Sequence, residues 1–123
     1  MQFPQENDRS GKIRNISTSN IEELAQFQIN KNRRYTQIQP GRLTADYAEV
    51  NLGDVQIFRE TLISGARIEA TPASKFLPFA AIAPKSGVFS YCGSETQDNT
   101  FIQATGGSWD ICFSGQLDYV CTA

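Results

Sequence analysis

Turn signals recur along the second two-thirds of the chain: Pro40-Gly41, Gly53-Asp54, Ser64-Gly65, Pro84 to Gly87, Gly93-Ser94, Thr105-Gly106-Gly107 and Gly115-Gln116. Short runs of alternating apolar and polar residues lie between them. Breaks spaced roughly 8–12 residues apart leave no room for long helices and call for an antiparallel sandwich or barrel. Leu43, Ala45 and Tyr47 alternate with Thr44 and Asp46, as in a half-buried strand. In VQIFRETL, Val55, Ile57, Arg59 and Thr61 share one face, and Phe58 and Leu62 lie on the other. YTQIQ, ARIEA, VFSYC, TFIQA, SWDICFS and LDYVCT read as further strands. KFLPFAAIA is apolar enough to be buried on both faces, although Pro78 cannot donate to a ladder and suggests an edge or a bulge. The expectation is eight or nine strands.

One helix should precede them. In STSNIEELAQFQINKN, Ser19 and Asn20 each stand three residues before a glutamate, the capping-box pattern. Ile21, Leu24, Ala25 and Gln28 mark one helical face over two or three turns, ending at Asn30 to Asn32. Lys31 and Arg33 would then sit at the negative end of the helix dipole. Residues 1–14 show no hydrophobic period and read as a flexible arm, leaving 15–123 as one domain.

Composition narrows the function classes. The 123 residues are 40% hydrophobic and 20% charged with a net charge of −2, which suits a folded chain and gives no cationic surface for a nucleic-acid backbone. Arg9, Lys12, Arg14, Lys31, Arg33 and Arg34 concentrate the basic residues in the first third. That concentration fits either an anionic partner or, more simply, a solvated tail and helix end. No apolar run is long enough to span a membrane, and MQFPQENDRSGK lacks a signal-peptide core, so a cytoplasmic location with no membrane partner is expected. Cys92, Cys112 and Cys121 lie among apolar neighbours without CxxC spacing and read as reduced, buried thiols.

Catalytic chemistry finds little support in these residues. The chain contains no histidine, the commonest metal ligand and the usual activator of a nucleophile. A cupin-type metal site would have to be built from Asp, Glu and Cys, with Asp98 and Asp110 the nearest candidates, each beside a turn. No metal, no other cofactor and no catalytic residue is assigned. Binding requires less: aromatic walls and a few orienting polar groups. The candidate ligand-binding pocket comprises Tyr47, Arg59, Phe79, Tyr91 and Trp109. The aromatic residues serve equally as ordinary core. Arg59 is either an inward guanidinium seeking an anion or a solvent-facing residue.

The run from the helix through YTQIQPGRLTADYAEVNLGDVQIFRETL, FLPFAAIAP and TGGSWDICFSGQLDYVCT resembles the amino-terminal domain of AraC-type transcription regulators. The resemblance covers about residues 15 to 123 and rests on Gln37 to Gly41, Leu52 to Asp54 and Thr105 to Gly107. It implies a mainly β, cupin-like antiparallel barrel or sandwich with a short N-terminal helix. It also implies a sensing or dimerisation role: a small-molecule effector, a homodimer, and DNA contacted only through a C-terminal helix-turn-helix domain expected beyond Ala123. Two other readings stay open, a stand-alone small-ligand carrier and a histidine-free cupin enzyme using carboxylates or tyrosine, with Tyr91 and Glu95 as its candidates.

Overall fold

The computed structural model describes residues 11–28, 32–71, 79–82, 89–96, 101–103 and 108–122. The fold is mainly β and antiparallel, with one short helix. Strand β1 (Ile13–Thr18) is followed by α1 (Ile21–Phe27), β2 (Asn32–Gln37), β3 (Thr44–Asn51), β4 (Gln56–Ile63) and β5 (Ala66–Thr71). Then come β6 (Phe79–Ile82), β7 (Phe89–Tyr91), β8 (Ser94–Thr96), β9 (Phe101–Gln103), β10 (Trp109–Phe113) and β11 (Gln116–Thr122). Six strands form one sheet in the order β1-β3-β4-β11-β6-β9, and five form another in the order β2-β5-β10-β7-β8. The sheets face one another across a core that includes Leu24, Tyr47, Phe58, Leu62, Ile68, Phe89, Phe113 and Leu117.

The helix forms where its cap is placed. The Asn20 side chain accepts from the backbone N–H groups of Glu22 and Glu23 at 2.9 and 3.1 Å, satisfying two donors that the first turn leaves unpaired. Glu22 and Glu23 also favour the positive end of the dipole. Two turns are too few to persist alone in water, so packing holds them: Leu24 is fully buried, a burial of about 1.5–3 kcal/mol. The helix ends at Phe27 rather than at Asn30 to Asn32. Arg33 is consequently not a helix-terminal charge. It belongs to β2 and turns inward.

Three other expectations change. Strand β1 begins at Ile13, two residues inside the expected arm, and pairs with β3 from Ile13↔Val50 to Thr18↔Ala45; residues 1–10 lie outside the described residues. Strand β6 pairs with both β11 and β9 and so is not an edge, and Ala81 is exposed, so β6 is not buried on both faces. Pro78 lies outside the described residues. Of the cysteines only Cys121 is buried; Cys112 is half-buried and Cys92 exposed. Cys92 occupies the hairpin turn between β7 and β8 with φ 51°, followed by Gly93 at 86°, the pair of positive values that a tight two-residue hairpin needs.

Candidate functional site

Register decides which side chains meet inside. On the six-stranded sheet, Tyr47, Glu60 and Tyr119 stand side by side on β3, β4 and β11. Glu49, Phe58, Cys121 and Ala80 form the neighbouring row. On the facing sheet, Arg33, Ala70 and Trp109 form one row, and Tyr35, Ile68, Ile111 and Tyr91 the next. Further along both sheets the interior is apolar, with Leu62, Leu117, Ala66, Phe113 and Phe89. The interior is therefore polar toward one end and apolar toward the other.

At the polar end a charged network joins the two sheets. The Glu60 side chain is fully buried. One of its oxygens accepts from the Tyr119 hydroxyl and from Arg33 Nη1 at 3.4 Å, and the other accepts from the Tyr35 hydroxyl. Arg33 Nη1 also donates to the Tyr119 hydroxyl at 2.7 Å. The Arg33 side chain is only 4% exposed, and its guanidinium carbon lies 5.1 Å from the Phe58 ring centroid and 5.0 Å from that of Trp109. Gln28, at the end of α1, donates to the Tyr35 hydroxyl at 2.6 Å and to the Leu24 carbonyl at 3.2 Å. Its Oε1 is buried without a hydrogen-bond partner among the described residues.

A second, smaller module, again an arginine and a tyrosine on a buried glutamate, lies beside the first. Arg14 Nη1 is 2.7 Å from Glu49 Oε2 and also donates to the Phe27 carbonyl at the C-terminal end of α1. The Tyr47 hydroxyl donates to Glu49 Oε1 at 2.6 Å. Each buried carboxylate is thus compensated by one arginine and by tyrosine hydroxyls, as charge burial requires.

The electrostatics make the tyrosines donors. Burial pushes the Tyr35 and Tyr119 hydroxyls well above the ordinary tyrosine range, with Glu60 reinforcing the shift and Arg33 opposing it. Tyr47 is raised by burial and by its bond to Glu49. Burial alone would lower Arg33, but Tyr119, Tyr35 and Glu60 raise it overall. At any ordinary pH the network holds protonated phenols and a charged guanidinium.

The structure distributes the five residues read from the sequence unevenly. Trp109 and Tyr91 are adjacent, with ring centroids 6.2 Å apart, and Trp109 reaches the network through Arg33. Tyr47 is in the core, 5.7 Å from the Phe58 ring; it stands beside Glu60 in the cross-strand row and its hydroxyl donates to Glu49 of the second module. Phe79 opens β6, and its side chain lies outside the described residues. Arg59 points outward. Its side chain is 62% exposed and forms a two-pronged pair with Asp118, with Nε at 3.1 Å and Nη2 at 2.8 Å. There it borders a shallow groove of about 400 Å³ with Asn15, Ser17, Asp46 and Thr61.

The alternation read along β4 is present, but its inward face carries Gln56, Phe58, Glu60 and Leu62. From sequence, Arg33 reads as one of a basic cluster and as a helix-end charge, and Gln28 as part of the helical face, while Tyr35, Glu60 and Tyr119 are passed over. The available signal was phase: Glu60 stands in step with Phe58 and Leu62, and Tyr35 with Arg33. Asp110, weighed as a metal ligand, accepts from Arg67 Nε at 3.0 Å on the outer face of β10, and Asp98 lies outside the described residues. Among the described residues no three His, Cys, Asp or Glu side chains are grouped to hold a metal ion. Among the same residues no helix is long and apolar enough to cross a membrane.

No family model and no curated protein matches the chain. Among solved structures it is similar to Rru_A2000 of Rhodospirillum rubrum, a cupin-2 domain, with a TM-score of 0.47 at 9% identity over 75% of this chain and 68% of that one. It is also similar to tm1287 of Thermotoga maritima, a predicted oxalate decarboxylase, with a TM-score of 0.44 at 14% identity over 77% of this chain and 91% of the other.

Proposed function

We propose that the chain is a small-ligand-binding domain of cupin-like build that binds rather than transforms its ligand, at the polar end of its interior. The buried Arg33–Glu60–Tyr35–Tyr119 network carries this reading. A buried ion pair costs more in desolvation than well-packed apolar side chains of the same volume, so stability alone gives weak grounds for retaining one. Ligand recognition gives better grounds, because a few convergent polar groups beside aromatic walls fix a ligand's orientation. Burial keeps Tyr35 and Tyr119 protonated, which fits them to donate hydrogen bonds and removes them as general bases.

The resemblance to AraC-type regulators supplies the biological setting of the proposal. In it, ligand occupancy of the domain is sensed, the domain pairs with a second copy of itself, and DNA is contacted by a separate helix-turn-helix domain. Thermal-shift screening against a library of sugars, polyols, organic acids and amines tests the binding step. A ligand that raises the melting temperature of the unaltered protein, and does so much less for Tyr119→Phe, is the expected result. Conversion of any library compound by the protein would replace the binding reading with the enzymatic one.

A further inference from the structure

We propose that the ligand is a small carboxylic acid that also carries a hydroxyl or amino donor, its carboxylate seated on the unused edge of the Arg33 guanidinium beside Trp109. This rests on the small-ligand reading above and names the class of compound that the site takes. Arginine presents five N–H donors in a rigid fork that matches a carboxylate with two parallel bonds. Among the described residues Arg33 donates only through Nη1, to Tyr119 and Glu60, so Nε and Nη2 carry no hydrogen bond there. Arg59 shows the contrast on the same protein, since its Nε and Nη2 grip both oxygens of Asp118.

Glu60 does not occupy that edge of Arg33. Its contact with the guanidinium is 3.4 Å, longer than the 2.7–2.9 Å of a close charge-assisted bond. Both Glu60 oxygens are instead engaged by tyrosine hydroxyls. Phe58 and Trp109 lie close to the guanidinium; with aromatic rings packed against it, an incoming group is best received in its plane, at the N–H edge. Ala70 stands between Arg33 and Trp109 in the same cross-strand row and contributes only a methyl group. Trp109 is half-buried, so the row is not sealed from solvent.

Gln28 supplies the second half of the specificity. Its Oε1 is a buried acceptor without a partner among the described residues, and an unsatisfied buried polar atom is costly. Its amide is bonded to the same Tyr35 hydroxyl that bonds Glu60. A ligand hydroxyl or ammonium would satisfy it. A bare monocarboxylate would leave Gln28 unpaired, and a neutral polyol would leave the Arg33 edge unpaired.

Trp109 is the sole tryptophan, so its fluorescence reports on this row. The test titrates the unaltered protein with matched pairs: glycerate and glycerol, and gluconate and glucitol. The expected result is a saturable change with at least one acid and binding of its neutral partner at least tenfold weaker. Arg33→Lys, which keeps the charge and loses the fork, should weaken that acid tenfold or more with circular dichroism unchanged. If Arg33→Lys fails to fold, the acid-to-neutral ratio in the unaltered protein decides alone. Neutral partners binding as well as the acids, or a folded Arg33→Lys with unchanged affinity, would overturn the carboxylate and leave the binding domain standing. No binding by any member, in fluorescence or in calorimetry, would overturn the carboxylate and remove support from the binding reading as well.

Discussion

Arg59 and Glu60 are neighbours on one strand, each held by an opposite charge, yet the two pairs have little else in common. Arg59 faces outward, and its guanidinium meets Asp118 in a two-pronged geometry with most of its surface in water. Glu60 faces inward, is fully buried, and meets Arg33 from the opposite sheet. The outer pair has good geometry and a smaller energetic consequence, because its Arg59 end is in water and Asp118, only 8% exposed, also accepts from the Thr61 hydroxyl at 3.0 Å. The inner pair has looser geometry and large consequences, because neither charge can be left alone in the interior. Geometry therefore does not rank the two pairs; burial does. The expensive one also sits where the two sheets, the aromatic row and the end of the helix meet.

The largest expected effect breaks the inner pair. Arg33→Ala leaves Glu60 buried without its cation and should cost about 3–5 kcal/mol of folding stability in urea denaturation. A loss no greater than that of a surface substitution would mean that Glu60 does not depend on Arg33, and the inner pair would then resemble the outer one.

A second effect separates the pairs by pH. The folded Tyr35, Tyr47 and Tyr119 hydroxyls titrate above the ordinary tyrosine range, burial being the main cause. Their contribution is intact below an unfolded tyrosine pKa of about 10. Above it the unfolded chain releases protons that the folded chain retains, so stability falls by about 1.4 kcal/mol per pH unit for each such tyrosine. Denaturation midpoints measured between pH 9 and 11 should show this slope, and Tyr35→Phe combined with Tyr119→Phe should reduce it to the part that Tyr47 contributes. An unchanged slope in that double variant would detach the hydroxyls from the network.

The smallest effect concerns the outer pair. Arg59→Ala should cost less stability than Arg33→Ala, because Asp118 keeps the Thr61 hydroxyl and its lost partner stood mostly in water, and that cost should shrink in high salt. It should leave ligand affinity unaltered. A clear loss of binding in this variant would move the site to the outer face.

Much of the architecture was legible because turns and alternation are local signals. The Asn20 cap, the strands at β3, β4, β5, β7, β10 and β11 and the antiparallel class follow from residues a few positions apart. Strand β1 was not legible, since IRNIST carries a charge and lies next to a polar stretch. It becomes a strand by pairing with β3, from Ile13↔Val50 to Thr18↔Ala45, far along the chain. The site was hidden for a related reason. Alternation along β4 separates two faces without saying which is inward, and an inward glutamate runs against the rule that charges face water. Arg33 and Tyr35, brought across from the other sheet, join Tyr119 in making the burial of Glu60 tolerable. That pairing of residues 27 apart in sequence is a property of the fold.

The most direct measurement replaces both members of the inner pair at once. Arg33→Met with Glu60→Leu removes the two charges together and fills their volume with apolar atoms. If the network is retained for ligand recognition, the double variant should recover most or all of the stability lost in Arg33→Ala and show no ligand binding. A double variant as unstable as Arg33→Ala would show that the network is structural. One that keeps full affinity would place the ligand elsewhere and contradict the site.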